Sequence, residues 1–288
     1  MHMSEVTGKG YWSEELSAKR GLLDVRLNEL WRYRDLVWMF VKRDFASTYK
    51  QTVLGPLWFF ISPFITVLMF TFAFSYIAGI KTDNIPAPLF YLTGTTLWNY
   101  FNQCFISSSG TFINNAGIFG KVYFPRLVAP ISTTISNLIK FFIQIGVLVV
   151  SLIYYSVVHG YTPHPNIYIL LFPLLIILMA GIAFGVGVIT SAATTKYRDM
   201  QLFINYGVAM LMYLTPVIYP ISQVPEKFKP FLMYNPISPV IETFRYSIFG
   251  VGTFSWAGLG YSTGFMVVVM FAGVIIFNQV EKTFMDTV

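Results

Sequence analysis

Glu242 and Arg245 stand three residues apart in a run that reads as a helix, so their side chains share a face. They form either a structural ion pair or a charged gate for a passing substrate. Lys140 lies twelve residues into an apolar run, about 18 Å along a helix, where an ammonium must snorkel, pair or face water. That depth makes snorkelling awkward and leaves an aqueous path or a partner inside the bundle. Acid–base chemistry needs carboxylates or histidines converging on one surface. Asp83, Glu226 and Glu242 form no spaced motif, and of the three histidines, His2, His159 and His164, the latter two sit in a short loop without cysteine or carboxylate nearby, so neither a catalytic cluster nor a metal site is expected. Phosphate chemistry fares no better. The nearest approach to a phosphate-binding loop is Gly120-Lys121, but the pattern requires glycine where Asn115 stands and Ser or Thr where Val122 stands. No cofactor is expected in this chain, and any ATP must be bound by another polypeptide.

The elements that position these residues are helices in lipid. Of 288 residues 55% are hydrophobic and 11% charged, against about 25% charged in a soluble domain, and the mean hydropathy is +0.62. Six apolar runs, at about 57–80, 88–109, 128–158, 167–193, 201–219 and 261–279, are each close to the roughly 20 residues that cross a bilayer. The expected fold is an all-α integral membrane protein with six spans. The second run carries Thr93, Thr95, Thr96, Asn99, Asn102 and Gln103, too polar to face lipid all round, so it should face protein or a water-filled path. Gly181 and Gly185 give the fourth run a small face suited to close helix contact, read as packing within the chain. Cys104, the one cysteine, reads as a small buried hydrophobe.

Residues 1–22 form a tail without the apolar core of a signal peptide. Residues 23–50 read as an amphipathic interfacial helix, with Leu27, Leu30, Trp31, Trp38, Val41 and Phe45 on one side and Glu29, Arg32, Asp35 and Arg43 on the other. Residues 51–288 form the membrane domain, with a loop at about 110–127 and a proline-broken segment at about 220–250. Five prolines from Pro220 to Pro239, set among aromatic residues, predict short re-entrant or interfacial helices. The net charge of +6 does not point to nucleic acid, because nine Lys and Arg crowd the first fifty residues. With Lys121, Arg126, Lys196, Arg198 and Lys282 they make fourteen on one side, against Lys81, Lys227, Lys229 and Arg245 on the other. Positive charge stays inside, so both termini are expected in the cytoplasm.

The loop Gly117 to Arg126 is oddly apolar for a cytoplasmic connection. Exposed Phe119, Tyr123 and Phe124 call for a covering partner, and aromatic anchors beside Lys121 and Arg126 suit an interface. The 52 aromatic residues form interfacial belts, packing, or faces on which sugar rings stack.

Several stretches resemble one family. They are Trp31-Arg32-Tyr33-Arg34-Asp35-Leu36, Lys42-Arg43-Asp44, Tyr49-Lys50-Gln51-Thr52-Val53-Leu54-Gly55-Pro56-Leu57-Trp58, Tyr197-Arg198-Asp199, Leu214-Thr215-Pro216-Val217-Ile218-Tyr219-Pro220, Tyr234-Asn235-Pro236-Ile237-Ser238-Pro239 and Glu281-Lys282-Thr283-Phe284. From about residue 22 onward the chain is similar to the permease subunits of type-2 ATP-binding-cassette exporters of O-antigen, capsule or teichoic acid chains. The resemblance implies a homodimer with a polymer channel along its axis and two cytoplasmic ATPase subunits that hold ATP and magnesium. It also implies contact of the Asn115–Arg126 stretch with the ATPase, and external gate helices in the proline-rich segment. The substrate would be lipid-linked polysaccharide, with O-antigen favoured, and the location the bacterial inner membrane. Candidate coupling residues are Phe119, Lys121, Tyr123, Phe124 and Arg126; candidate path or gate residues are Lys140, Asn99, Asn102, Tyr219, Glu226, Glu242 and Arg245. A drug or small-lipid exporter and an integral membrane glycosyl- or phosphotransferase are the alternatives.

Overall fold

The structure is a computed structural model that describes residues 27–49, 53–122, 124–197 and 199–287. The tail at 1–22 and the start of the predicted interfacial helix lie outside them. Among the described residues every regular element is helical and none is a strand. Their elements are α1 (Leu27–Arg32), α2 (Arg34–Tyr49), α3 (Trp58–Phe70), α4 (Ala87–Ser109), α5 (Thr111–Phe119), α6 (Val128–His159), α7 (Phe172–Lys196), α8 (Met200–Tyr213), α9 (Lys229–Met233), α10 (Ser238–Phe249) and α11 (Trp256–Thr287). A π-helical stretch, Thr71–Ile77, prolongs α3.

Among the described residues four helical stretches are long and apolar enough to cross a bilayer: Gly55–Ile77, Val128–His159, Ile167–Lys196 and Trp256–Val280. The chain is a multi-pass membrane protein. The other two expected spans take different forms. At 23 residues α4 is about 34 Å long, sufficient to cross, but its polar residues lower its hydropathy. It is the central helix, packed by α3, α6, α7, α8 and α10. Thr93, Thr95 and Thr96 do face protein, and each hydroxyl donates to a carbonyl one turn back, as Thr96 Oγ1 does to Leu92 O at 2.7 Å. The run at 201–219 is helical only as far as Tyr213, where α8 is about 21 Å long. Pro216 explains the shortfall, because proline lacks an N–H and drives its predecessor out of helical geometry.

The small face of α7 meets α11. A Cβ on Gly185 would stand 2.9 Å from the backbone nitrogen of Met270, and one on Gly273 would stand 3.0 Å from the Gly185 carbonyl. Glycine at both crossings lets the two backbones touch, so the contact lies within the chain, as expected.

The amphipathic helix is present, broken at Tyr33, and its apolar surface divides into a protein-facing stripe and an outward one. Phe40 and Val41 are buried, with Tyr33, Leu36 and Val37 partly so, whereas Trp31 and Trp38 are exposed. Both stripes are apolar at helical spacing, and only the packing of α2 against α6 selects between them. The outer stripe pairs rings with cations: Arg34 lies 5.8 Å from the Trp31 ring and Lys42 5.8 Å from that of Trp38.

Phe119 and Phe124 correct a second expectation. They are buried, at 5% and 4% exposure. The stretch 111–119 is a helix, so Phe112 and Phe119, seven residues apart, fall on one face and turn inward. Phe119 lies 5.6 Å from Phe124, Phe124 meets Phe40 edge-on at 5.7 Å, and Phe112 stacks on Phe277 at 4.7 Å. This cluster ties α2, α5, the start of α6 and α11 together. Arg126 is buried over the Phe119 ring at 5.6 Å. Tyr123 lies outside the described residues. The exposed surface of the connection is instead Ile113, Asn114, Gly117, Gly120, Lys121 and Val122.

Phe119→Ala should therefore cost about 3–5 kcal/mol of stability, whereas Val122→Ala should stay within about 0.5 kcal/mol. Thermal unfolding of the purified chain in detergent separates the two.

Candidate functional site

Where α8 ends, the carbonyls of Pro216 and Val217 turn toward α10. Arg245 meets them: its Nη2 donates to Pro216 O at 3.0 Å and to Val217 O at 3.5 Å, and its Nη1 donates to Glu242 Oε1 at 2.8 Å. The two charged side chains are 2% and 4% exposed. The guanidinium lies 3.8 Å from the centre of the Phe90 ring on α4, a cation–π contact strengthened by burial. One turn along α4, Gly94 makes room for this approach. A Cβ there would stand 2.8 Å from Val217 O and 3.1 Å from Arg245 Nη2. Glu242 Oε2 accepts from Thr253, from the amide at 3.4 Å and from the hydroxyl at 3.5 Å. Burial pushes the Glu242 carboxyl above its ordinary range, and the Arg245 guanidinium opposes that rise.

The ion-pair reading of the sequence is what the geometry realises, and it does more than join two turns of one helix. It latches α10 to α4 and to the turn after α8. Asn235 adds a second tie, its Nδ2 donating to Leu214 O at 3.1 Å and to Thr215 Oγ1 at 2.8 Å. Tyr219 is half-buried and donates its hydroxyl to Tyr213 O at 2.8 Å, which closes the turn on itself. Ser222 donates to Asp83 Oδ1 at 2.7 Å, and Gln223 binds the Lys81 backbone, so the loop before α4 is pinned as well. Glu226 stands apart, exposed at the surface and paired with Lys229 at 2.6 Å.

A second polar feature lies between α3, α4 and α6. It is a cavity of about 330 Å³ that holds Asn99 and Gln103 of α4 and Asn137, Lys140 and Gln144 of α6, with Trp58 and Tyr100 among its walls. Lys140 Nζ donates to Asn137 Oδ1 at 3.2 Å. The fold therefore brings Asn99 and Lys140 together and leaves Asn102 outside the lining, with its Oδ1 buried and unbonded. Sequence reasoning missed Asn137 and Gln144. The signal was there: Asn137, Lys140, Phe141 and Gln144 follow the i, i+3, i+4, i+7 rule of one helical face. It also missed Phe90, Gly94 and Asn235, whose partners are remote in sequence.

The profile of a family described as ABC-2 type transporter matches residues 35–249, three quarters of the chain. The chain belongs to the ABC-2 type transporter family. Similar proteins run nearly its whole length. The O-antigen export system permease protein RfbA of Klebsiella pneumoniae is 31% identical over 254 residues, 88% of this chain and 94% of the relative. The polysialic acid transport protein KpsM of Escherichia coli is 25% identical over 248 residues, 85% and 93% of the two chains. The similarly named RfbA of Myxococcus xanthus is 25% identical over 222 residues, 76% and 82%. The latch and the cavity both lie inside the part of this ABC-2 transporter chain that the family profile covers.

Removing one partner of a buried pair strands the other. Arg245→Ala should destabilise the protein by about 3–5 kcal/mol, more than Arg245→Met combined with Glu242→Gln, which strands neither charge. Glu226→Ala, at an exposed pair, should cost less than about 1 kcal/mol. Detergent thermal melts of the four proteins rank the costs.

Proposed function

We propose that this chain is the membrane subunit of an ATP-driven exporter that carries lipid-linked polysaccharide, of the O-antigen class, to the outer side of the bacterial inner membrane. The observation that carries the reading is the near full-length likeness to polysaccharide export permeases, in a chain with membrane-crossing helices. Two copies of the chain form the channel, and two copies of a cytoplasmic ATP-binding-cassette ATPase bind ATP and magnesium. Both termini and the α5 connection lie in the cytoplasm, as the surplus of Lys and Arg on that side supports. The proline-rich segment from Pro220 to α10 then lies outside as a gate, with the Glu242–Arg245 latch holding its inner end.

Coupling passes through the exposed face of the α4–α6 connection. Phe119, Phe124 and Arg126 act from beneath it, as the aromatic core that keeps Lys121 and Val122 presented to the ATPase. Motion of that tip would reach α2, α6 and α11 through the shared cluster.

Deleting the gene in its host should abolish surface polysaccharide while lipid-linked glycan accumulates inside, read on polysaccharide gels and by lipid extraction. Normal surface glycan in the deletion strain would overturn the reading. Lys121→Glu with Val122→Asp should lower recovery of co-expressed ATPase on the tagged chain without affecting membrane insertion. Full recovery and normal export would remove the coupling role.

A further inference from the structure

The cavity between α3, α4 and α6 has a chemistry that helix packing does not use. Lys140 carries three N–H donors, and among the described residues its one hydrogen bond, to Asn137 Oδ1, leaves two for the cavity. No carboxylate lies within ion-pairing distance of it among the described residues. Among the described residues the amides of Asn99, Gln103 and Gln144 make no side-chain hydrogen bond, so each offers a carbonyl acceptor and two donors to whatever fills the space. Trp58 is among the residues that line it.

These groups meet part-way across the bilayer, about 18 Å along α6 from Val128. An ammonium there is costly unless something polar or anionic joins it. Three amides set around it suit vicinal hydroxyls, and an aromatic wall suits the C–H face of a sugar ring. At about 330 Å³ the space is at the small end of ligand pockets, enough for a sugar with a charged substituent and too small for a length of polymer.

We propose that this cavity is a binding site for an anionic sugar, with Lys140 on its phosphate or carboxylate and Asn99, Gln103 and Gln144 on its hydroxyls. The assignment rests on the exporter reading and deepens it, because it names the part of the cargo that the membrane helices grip. The oxyanion has two sources, the phosphate that joins glycan to lipid or an acidic group on the glycan. Geometry favours the phosphate-linked sugar, since a lipid anchor keeps that end within the membrane while the rest of the glycan passes.

The test is equilibrium binding to the full chain, co-purified with its ATPase in lipid nanodiscs and read by native mass spectrometry. Four probes separate the contributions: a polyprenyl-phosphate-linked monosaccharide, polyprenyl phosphate alone, a neutral alkyl glucoside and an alkyl glucuronide. Lys140→Gln should weaken the phosphate-linked sugar about tenfold or more, the loss expected for one charge-assisted hydrogen bond, while leaving the neutral glucoside unchanged; Lys140→Arg should restore most of the affinity. Asn99→Ala with Gln103→Ala should weaken the sugar-bearing probes and spare polyprenyl phosphate. A glucuronide that loses as much as the phosphate-linked sugar would support the site and place the charge on the glycan. If Lys140→Gln binds every probe as the unsubstituted protein does, or loses the neutral glucoside equally, the cavity is a hydrated packing defect and the site is refuted. A failed exporter reading looks different: binding would follow Lys140 while the deletion strain kept its surface glycan.

Discussion

A guanidinium withdrawn from water needs hydrogen-bond acceptors and a counter-charge inside the protein, and the contacts Arg245 makes through its two terminal nitrogens, its Nε having no partner among the described residues, organise one end of the molecule. Its side chain is 2% exposed, so the penalty of burial is nearly complete. Each of its contacts fixes a different element: Glu242 sets its own helix, the Pro216 carbonyl sets the turn after α8, and Phe90 sets α4. Gly94 is the steric counterpart, since any side chain there would push the turn away from α4. The proline that ends α8 thus has a structural purpose. By breaking the helix it frees a carbonyl that the arginine requires.

The same rule, that polar groups in a membrane protein must be satisfied internally, has two outcomes along α4. Thr93, Thr95 and Thr96 turn their hydroxyls onto their own backbone and are lost in the core. Asn99 and Gln103, one and two turns further on, have no such option, because an amide carries more hydrogen-bonding capacity than the helix can absorb. They open on a cavity instead, and Lys140 stands across from them on α6. One helix therefore serves as scaffold at its first half and as a polar wall at its second. In an ABC-2 transporter, whose cargo has to cross between helices, such a wall is where contact with a hydrophilic cargo is cheapest.

At the other end of the bundle the organising force is apolar. Phe40, Phe112, Phe119, Phe124 and Phe277 come from four segments and bury one another. Because α2 and the last helix both enter this cluster, a push on the α5 connection reaches the interfacial helix and α11 together. Phe112 and Phe119 share a face of α5 by spacing alone, but the rings of Phe40 and Phe277 that pack on this cluster come from elements distant in the sequence.

What the sequence determined by itself are the features encoded locally. Composition demanded a membrane, the lengths of the apolar runs predicted helices close to α3, α4, α6 and α7, and five prolines predicted short broken helices where α9 and α10 stand. The spacing of Glu242 and Arg245 predicted their pairing, and the motifs around Trp31, Pro216 and Asn235 predicted the family to which the chain belongs. Tertiary structure alone decided which of two apolar stripes of α2 faces protein, that Phe119 and Phe124 are core, and that Asn99 rather than Asn102 joins Lys140. The physical reason is range. A helix places residues three and four apart on one face whatever surrounds it, whereas the partner of that face is chosen by close packing among helices distant in the chain, as Arg245 is by a carbonyl 29 residues away.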